Sequence, residues 1–343
     1  MPPIFTGQSI AFSYALSSID RESLVINTQR FSNKLLSFIY IQLRVFQVFI
    51  LNSIDTIYIT TSRSYFGFFR EALILLFAKL FKIRVVNHLH GSDFYDFYNS
   101  SWVLKKILGP LYNHISTSIV LLNGMKEQYA QFPNMNLEVV PNCYDPIYEN
   151  EVIDFNAKSG ILYLSNIMFS KGIMDFLDSL NIVLTNCNTD VFIAGKILGD
   201  YLKTKRDTED MFFKKLKKLN KIFNNRVKYL GVVEGVGKMK LLKKASIFCL
   251  PTFYKTEAFP LSIIEAMALG NAIITTEHNY LSSLVSEENG VIVPISNIEK
   301  LSQSMISLLD NPNLFLIQKG NVDFARENFS YSKFKENIKR ILD

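Results

Sequence analysis

Two glutamates, Glu257 and Glu265, stand eight positions apart in an otherwise apolar stretch that could bind a polyanionic ligand. Pro260, between them, suits the first turn of a helix, and Gly270 suits the position just past a helix end. Glu265 is therefore predicted to project from a buried helix, with Glu257 in the loop that precedes it. The N-terminus of such a helix offers free N–H groups and a partial positive charge, which together form an anion site.

This pair of acids has two interpretations. One acid beside an anion site and a second acid inside the helix suit a ligand that carries a diphosphate with a polyol at each end. A nucleotide sugar is such a ligand. The alternative is an apolar core helix whose acids are merely solvated. Glu265 argues against that alternative, because a glutamate with apolar neighbours on both sides is rarely buried without a partner.

The stretch from Glu257 to Glu265 resembles the E-x7-E signature of glycosyltransferase family 4, a family of retaining enzymes with the GT-B fold. The resemblance extends to the apolar run of residues 271–276, which is typical of a short buried strand. It implies that Glu257 contacts hydroxyls of the donor sugar and that Glu265 holds the ribose of the nucleotide. It also implies that the backbone N–H groups of Ala258 and Phe259 face the diphosphate and the sugar.

A second candidate site follows a predicted strand in the first half of the chain. His90 and Gly91 stand where this strand ends, and α/β sheets bind ligands beyond the carboxyl ends of their strands. In the family a His-Gly pair at this place contacts the donor sugar, so the resemblance assigns that role to His90. Taken alone, the pattern favours a strand-end turn around a hydrogen-bonded histidine. Taken with the two downstream glutamates, it favours binding.

Three weaker segments complete the expected donor site. Family members usually carry Gly-Arg and then Lys-Gly after the first strand of the second half, where the two cations neutralise the departing diphosphate. Here Lys171 is followed by glycine, but Ser165 and Asn166 replace Gly-Arg, so one positive charge is missing or another basic residue takes its role. Gly231 follows a strand whose continuation lies along the nucleotide base in the family. Gly7 opens a predicted helix, and a plain turn is an equal alternative there.

Composition limits the class of protein. The 343 residues suffice for two domains, and the hydrophobic content of 48% indicates a globular protein rather than a disordered one. The net charge of +6 permits attraction to an anionic membrane surface, but no nucleic-acid-binding signature is visible and no nucleic-acid partner is expected. The three cysteines lack metal-binding spacing and no Asp-x-Asp motif is present, so neither a metal nor another cofactor is expected.

Neither a secretion signal nor a membrane span is predicted. The first eight residues lack a basic region followed by an apolar run, and residues 35–51 are interrupted by Gln42, Arg44 and Gln47. Two basic regions with interleaved apolar residues, 31–49 and 214–221, are typical of helices on anionic lipid or of solvated helix faces packed on a sheet. We expect a cytoplasmic protein, with peripheral contact at the inner face of the membrane as a further possibility.

Short apolar runs alternate with longer amphipathic ones, which predicts parallel α/β units. Strands are predicted at 56–60, 84–88, 118–122 and 137–141, and again at 161–164, 191–194, 227–230, 246–250, 272–275 and 291–293. Helices are predicted at 69–81 and 324–342, and a linker follows residue 142. The expected architecture is the α/β GT-B fold, two Rossmann-like domains facing across a cleft. The acceptor domain is placed at 1–150, the nucleotide-sugar donor domain at 158–325, and a C-terminal helix that packs back towards the first domain at 326–343.

The resemblance implies a retaining glycosyltransferase that moves a sugar from a nucleoside-diphosphate sugar to a glycan or lipid-linked acceptor. Bacterial surface polysaccharide synthesis (O-antigen, lipopolysaccharide or capsule) is the expected setting. Two alternatives stay open: a non-catalytic nucleotide-binding subunit of a polysaccharide assembly complex, favoured by the missing Gly-Arg, and a GT-B-fold sugar-nucleotide epimerase. A nicotinamide dehydrogenase is disfavoured, since no Gly-x-Gly-x-x-Gly follows the first strand of either half.

Overall fold

The computed structural model describes residues 7–26, 28 and 33–343. These residues form two compact units. The first consists of the described part of Met1–Asn142 together with Ser332–Asp343, and the second is Cys143–Tyr331. The expectations about the extreme N-terminus before Gly7 and about residues 31 and 32 lie outside the described residues.

The first unit is built on a sheet of four parallel strands that pair in the order β1-β2-β3-β4. The strands are β1 (Thr56–Thr60), β2 (Arg84–His88), β3 (Thr117–Val120) and β4 (Asn136–Val139). Thr60 pairs with His88, so the carboxyl ends of β1 and β2 lie side by side. The helices that accompany the sheet are α1 (Gly7–Ser18), α2 (Lys34–Leu51), α3 (Tyr65–Leu80), α4 (Phe94–Asn99) and α5 (Trp102–Tyr112).

Helix α3 begins four residues earlier than its apolar pattern predicted. The cause is Ser64, whose Oγ accepts a hydrogen bond from the backbone N–H of Gly67 at 3.3 Å. Serine at this position satisfies a donor that the first turn leaves unpaired. The polar cap, rather than the first apolar residue, therefore decides where the helix starts.

The second unit contains six parallel strands in the order β10-β9-β8-β5-β6-β7. The strands are β5 (Ile161–Leu164), β6 (Val191–Ala194), β7 (Val227–Tyr229), β8 (Ile247–Leu250), β9 (Ala272–Thr276) and β10 (Gly290–Val293). Every residue of β5, β6, β8 and β9 is buried, as the apolar runs predicted. The chain adds strands to one side of β5 and then to the other, so the strand order reverses between β5 and β8.

Seven helices of the described chain belong to this second unit. They are α6 (Ile173–Asn186), α7 (Lys205–Ile222), α8 (Gly235–Lys244), α9 (Leu261–Ala268), α10 (Leu281–Leu284), α11 (Ile298–Leu309) and α12 (Leu314–Phe329). Helix α9 packs against α12, β8 and β9, which places it in the interior. In α7 the apolar residues Phe212, Leu216 and Leu219 are buried. The basic region 214–221 is therefore a solvated helix face whose apolar side packs inward.

The prediction of one helical stretch over residues 324–342 is wrong. Helix α12 ends at Phe329, Ser330 is extended with φ −68° and ψ 151°, and α13 (Tyr331–Leu342) begins after it. From Ser332 onward the chain belongs to the first unit. There Arg340 forms an ion pair with Glu138 at 2.8 Å. Across the described residues, no helix combines the length and the apolar character needed to cross a membrane.

Candidate active site

Two of the predicted charged residues lie at the carboxyl edge of the second unit's sheet, where the strand order reverses. Lys171 lies in the connection after β5, and Glu257 lies in the connection after β8. Connections that leave a parallel sheet in opposite directions open a crevice beyond the strand ends, and α/β sheets bind ligands in that crevice. The sequence separates these residues by 86 positions, and the fold brings them together.

Lys171 and Glu257 form a direct ion pair between the Lys171 ammonium and Glu257 Oε2. Their side chains are 13% and 11% exposed, so the pair is mostly shielded from water. Thr252 Oγ1 lies 3.4 Å from the same carboxylate oxygen, and the Lys171 ammonium lies 4.9 Å from the centre of the Tyr254 ring. The two side chains that were predicted to serve the donor thus hold each other in place.

A tight turn fixes the backbone around Lys171. The residue ends a 3-10 turn, Phe169–Lys171, and the next residue, Gly172, has φ +74°. A Cβ on Gly172 would lie 1.9 Å from the carbonyl oxygen of Pro251, so only glycine fits. The Tyr163 hydroxyl donates to the carbonyl oxygens of Lys171 at 3.2 Å and of Asn166 at 3.4 Å. Asn166 is thereby held on the same connection, with its side chain exposed.

Glu265 lies inside α9 and is only 5% exposed, as its apolar neighbours predicted. Lys238 of α8 meets it, with the Lys238 ammonium 2.6 Å from Oε1 and 2.5 Å from Oε2. Burial raises the pKa of Glu265, and the positive charge of Lys238 acts against that rise. The buried carboxylate therefore has a partner, as a buried charge requires.

Sequence reasoning did not find Lys238. It lies 27 residues before Glu265 in a run of lysines that looks like an ordinary solvated helix. The available signal was indirect: a buried acid calls for a cation, and no basic residue stands within α9 itself. Only the packing of α8 beside α9 shows which lysine fills that role.

The C-terminal end of α9 agrees with its prediction, and the N-terminal end does not. Gly270 follows the helix end with φ +73°, and the N–H groups of Gly270 and Asn271 bond back to Met267 and Ala266, each at 2.9 Å. This is the glycine-terminated helix end that was predicted, and it is confirmed. Pro260 was predicted in the first turn, which is wrong: its ψ of 118° is extended and the helix starts one residue later.

Ala258 and Phe259 lie between Glu257 and the start of α9, and they are 2% and 6% exposed. Within the described chain, no group accepts a hydrogen bond from either backbone N–H. Asn279 donates to the carbonyl oxygen of Glu257 at 2.8 Å, and the Phe259 ring packs on Phe329 with 5.5 Å between ring centres. These contacts fix a short segment whose two N–H groups precede the positive end of a helix.

Two of the weaker glycine predictions fall on other elements than those that carry Lys171 and Glu257. Gly231 follows β7 and has φ +67°, and its carbonyl oxygen accepts from the N–H of Gly195 at 2.7 Å. Gly7 is the first residue of α1 in the first unit, where it is exposed. Phe12 of the same helix stacks on Tyr58 of β1 with 5.7 Å between ring centres.

His90 lies just beyond β2 in the first unit, beside His88, with 4.0 Å between the ring centres. His88 Nδ1 is 2.7 Å from the hydroxyl of Tyr58. Both ring nitrogens of His90 are buried and find no hydrogen-bond partner among the described residues. Burial lowers the pKa of His90 to about 3, and the positive charge of Arg63 acts in the same direction. The imidazole is therefore neutral at physiological pH.

Arg63 is a second residue that the sequence did not single out. Its guanidinium forms an ion pair with Asp93 and lies across Gly91. A Cβ on Gly91 would lie 1.9 Å from Arg63 Nη1, so this glycine permits the approach. Over the ranges that the structure describes, no three His, Cys, Asp or Glu side chains are grouped to hold a metal ion.

Comparison with known proteins relates the chain to enzymes that transfer sugars. Residues 151–321 match the protein family described as Glycosyl transferases group 1. An uncharacterised glycosyltransferase of Methanocaldococcus jannaschii is 25% identical over 297 residues, which cover 80% of this chain and 73% of that protein. The N,N'-diacetylbacillosaminyl-diphospho-undecaprenol alpha-1,3-N-acetylgalactosaminyltransferase of Campylobacter jejuni is 25% identical over 48% of this chain and 39% of its own length.

A solved structure shows the fold. Anabaena HepE in complex with UDP matches with a TM-score of 0.70 at 16% identity, covering 88% of this chain and 81% of that chain. With two parallel α/β units in the chain and a GT-B glycosyltransferase as its structural neighbour, the expected GT-B fold is confirmed.

Proposed function

Since the chain belongs to the group 1 glycosyl transferases and is a glycosyltransferase, we propose that it uses a nucleoside-diphosphate sugar and retains the configuration at the anomeric carbon. The observation that carries the proposal is the Lys171–Glu257 ion pair at the point where the strand order reverses. A cation for a diphosphate and a carboxylate for sugar hydroxyls are placed together in the crevice where an α/β sheet binds its ligand.

The two residues of the ion pair recognise the two parts of the donor, the diphosphate and the sugar. When a donor diphosphate enters, the Lys171 ammonium exchanges Glu257 for phosphate oxygens, and the freed carboxylate accepts hydrogen bonds from the sugar. The N–H groups of Ala258 and Phe259 and the start of α9 add positive potential on the same side. Groups fixed in advance stabilise the negative charge that develops as the diphosphate departs.

Glu265 is proposed to accept hydrogen bonds from the ribose hydroxyls. A carboxylate is a good acceptor only when ionised, and Lys238 favours that form against the effect of burial. His90 is proposed to contact the donor sugar as a neutral imidazole, which can donate at one nitrogen and accept at the other. We also propose that four further residues line the donor site: Gly7, Gly91, Asn166 and Gly231. No metal or other cofactor is proposed.

The acceptor hydroxyl is proposed to attack from the side that the diphosphate leaves. A new bond forms between the acceptor oxygen and the anomeric carbon, the bond to the phosphate oxygen breaks, and a donor phosphate oxygen takes the hydroxyl proton. The name of the Campylobacter relative describes transfer to a sugar on diphospho-undecaprenol. That name supports a lipid-linked acceptor here, and hence a role in bacterial surface polysaccharide synthesis.

The test is thermal unfolding with UDP, GDP, dTDP, ADP and CMP in turn. A nucleotide at a hundredfold its Kd stabilises by about 2.7 kcal/mol, which corresponds to roughly 5–10 °C. One nucleoside diphosphate should give this shift and Glu265→Ala should abolish it, while Lys218→Ala on the exposed face of α7 should keep it. With the matching donor and an acceptor, NMR of the product should show the donor's anomeric configuration. Absence of any shift, or an inverted product, would contradict the proposal.

A further inference from the structure

Three helices of the first unit, α2, α3 and α5, expose a surface that is apolar and basic together. We propose that this surface, here called the helical face, lies on the surface of an anionic lipid bilayer. It belongs to different elements from the Lys171–Glu257 pair, so the inference does not depend on the proposed chemistry. Its argument rests on spacing, exposure and charge.

Helix α2 carries an apolar stripe on its outer side. Leu36, Ile39, Leu43, Phe46 and Ile50 follow one another at alternating steps of three and four residues, so they lie along one side of the helix. Each is between 47% and 64% exposed. The opposite side is buried in the unit's core. The helix is therefore apolar on two sides and buries only one of them.

Helix α3 repeats the pattern. Phe66, Phe69, Leu73, Leu76 and Leu80 have the same spacing and are between 36% and 65% exposed. Its inner side packs into the core through Phe68, Leu75 and Ala78. A helix of a soluble protein usually presents charged and polar residues on its outer side. Two adjacent helices that break this rule indicate one function for both.

The stripes join into one surface. Phe38 of α2 lies 6.1 Å from Phe66 of α3 between ring centres, and Phe49 lies 5.4 Å from Phe77. On the other side of α3, Lys79 donates to the carbonyl oxygen of Pro110 in α5 at 3.2 Å. Helix α5 adds exposed apolar side chains at Val103 and Ile107 and the indole of Trp102, which is 66% exposed. Contiguous apolar patches of this extent usually mark an interaction site.

The positive charge of the helical face indicates an anionic partner. Helices α2, α3 and α5 carry the basic residues Arg44, Lys79, Lys105 and Lys106, besides Arg70, which pairs with Glu71 at 3.6 Å. Their only acidic residue is Glu71, which is 4% exposed and points inward. A second copy of this chain would bring like charges together across the same face. An anionic bilayer offers lipid headgroups to the cations and an acyl-chain boundary to the apolar stripes.

Helix α7 is the natural comparison, because it is also rich in lysine and lies in the other unit. Its Phe212, Leu216 and Leu219 are buried, and its exposed apolar side chains Phe213 and Ile222 lie nine positions apart, so they form no continuous stripe. Basic charge therefore does not distinguish α7 from the helical face. The paired apolar stripes distinguish the helical face and make it the membrane-binding candidate.

Trp102 allows a direct test, since it is the chain's only tryptophan and lies on the helical face. The whole protein is mixed with vesicles of phosphatidylcholine and phosphatidylglycerol in equal parts, or of phosphatidylcholine alone. With the anionic vesicles, the Trp102 emission should shift to shorter wavelength and be quenched by lipids brominated on their acyl chains. Equal binding to both vesicle types would overturn the proposed anionic partner.

Cosedimentation of variants with the anionic vesicles locates the surface. Leu43→Gln with Phe69→Gln should lower vesicle partitioning at least about tenfold. Lys105→Gln with Lys106→Gln should lower it about fivefold for each charge removed. The matched control, Lys214→Gln with Lys217→Gln on α7, removes the same charge and should retain clearly more binding than either. Circular dichroism confirms that each variant is folded.

Two further results would overturn the inference. One is an α7 variant that loses as much binding as the helical-face variants, since general attraction of a basic protein would then explain the binding. The other is a wild-type protein that does not bind vesicles and self-associates in sedimentation velocity, while the double variant Leu43→Gln with Phe69→Gln is monomeric. In that case a second copy of the chain covers the helical face.

Discussion

At the scale of single residues, each acid of the Glu257 and Glu265 pair is matched by a lysine from a distant part of the chain. Lys171 meets Glu257, and Lys238 meets Glu265. Taking a charge out of water is costly unless an opposite charge compensates it. The lysines therefore make it possible to keep two ionised carboxylates in a largely apolar setting, where they can accept hydrogen bonds from hydroxyl groups.

Removing Lys238 should expose the cost of burying Glu265. Lys238→Met leaves an unpaired buried carboxylate, and we expect a loss of about 3 kcal/mol in unfolding free energy at pH 8, the low end for a broken buried pair because Lys238 itself is 25% exposed. At pH 5 the loss should be smaller, because burial raises the pKa of Glu265 and the protonated form needs no cation. Thermal unfolding at both pH values measures the difference.

The double variant Lys238→Met with Glu265→Gln should recover most of that stability, since it removes the charge together with its partner. Lys240→Met, an exposed neighbour on α8, serves as the control and should change little. A double variant no more stable than Lys238→Met alone would contradict this account, because relief of the unpaired charge would then recover nothing.

Glu71 should make the first unit sensitive to pH. Burial raises its pKa to about 7, although Ser62 and Arg70 act in the opposite direction. The folded state therefore holds a proton that the unfolded state has released between about pH 4.5 and 7. Stability falls as pH rises through this window, by about 3 kcal/mol in all.

Glu71→Gln should remove that fall, while Glu22→Gln at an exposed position should leave it in place. Denaturant unfolding followed by Trp102 emission reports on the first unit, which holds the tryptophan. Parallel pH profiles of wild type and Glu71→Gln would mean that Glu71 keeps its ordinary pKa.

The sequence predicted the residues of the candidate site whose signal is local. Glu265 stands out among apolar neighbours, and Gly270 marks its helix end. Lys238 and Arg63 had no such signal, because their partners lie 27 and 30 positions away. Which lysine reaches a buried acid depends on how helices pack side by side, and a pattern along the chain does not contain that information.

At the scale of elements, strands were easier to predict than helix ends. Strands β1, β2, β5 and β6 coincide with their predicted ranges. In β5 and β6 every residue is buried, and a parallel strand buried on both faces requires a continuous apolar run. Helix boundaries depend instead on one or two capping residues. Ser64 and Ser330 each moved a boundary that the apolar pattern alone had placed elsewhere, and Pro260 precedes its helix instead of lying in the first turn.

Gly172, next to Lys171, should tolerate no side chain. Gly172→Ala places a Cβ 1.9 Å from the Pro251 carbonyl oxygen at φ +74°, so the end of β8 or the Lys171 turn must shift. We expect a loss of at least about 2 kcal/mol, together with weaker nucleotide binding. Thermal unfolding with and without the matching nucleotide measures both effects.

Gly320 provides the matched control, because it lies inside α12 and a Cβ there meets nothing within 4 Å. Gly320→Ala should stabilise the protein by roughly 0.5–1 kcal/mol, the ordinary gain of alanine over glycine in a helix. If both variants changed stability alike, the close approach to Pro251 would have no energetic consequence.

At the scale of the whole molecule, the alternation of strands and helices predicted the fold, but it did not predict the order of the strands in each sheet. Nothing in the apolar run of β8 indicates that it pairs with β5 rather than with β7, which precedes it in the chain. That pairing creates the reversal, and the reversal creates the crevice. The location of the candidate site therefore depends on topology, while its residues depend on sequence.

Helix α13 should be essential to the first unit, although the chain reaches it only after completing the second. It buries Phe334, Ile338, Ile341 and Leu342, and each such side chain contributes roughly 1.5–3 kcal/mol. Deleting residues 332–343 should therefore lower the unfolding midpoint seen by Trp102 far more than the transition of the second unit. The stability of a domain is only about 5–15 kcal/mol, so the first unit should lose most of it.

The control for this deletion is Lys339→Gln with Arg340→Gln, which breaks exposed ion pairs of α13 with Asp20 and Glu138 and keeps its apolar side. Exposed pairs stabilise little, so this variant should unfold almost as wild type does. Trp102 emission follows the first unit, and the nucleotide-dependent part of the circular dichroism transition follows the second. Equal losses in both transitions would mean that the two units unfold as one, whereas an unmoved Trp102 transition would mean that the first unit is complete without its last helix.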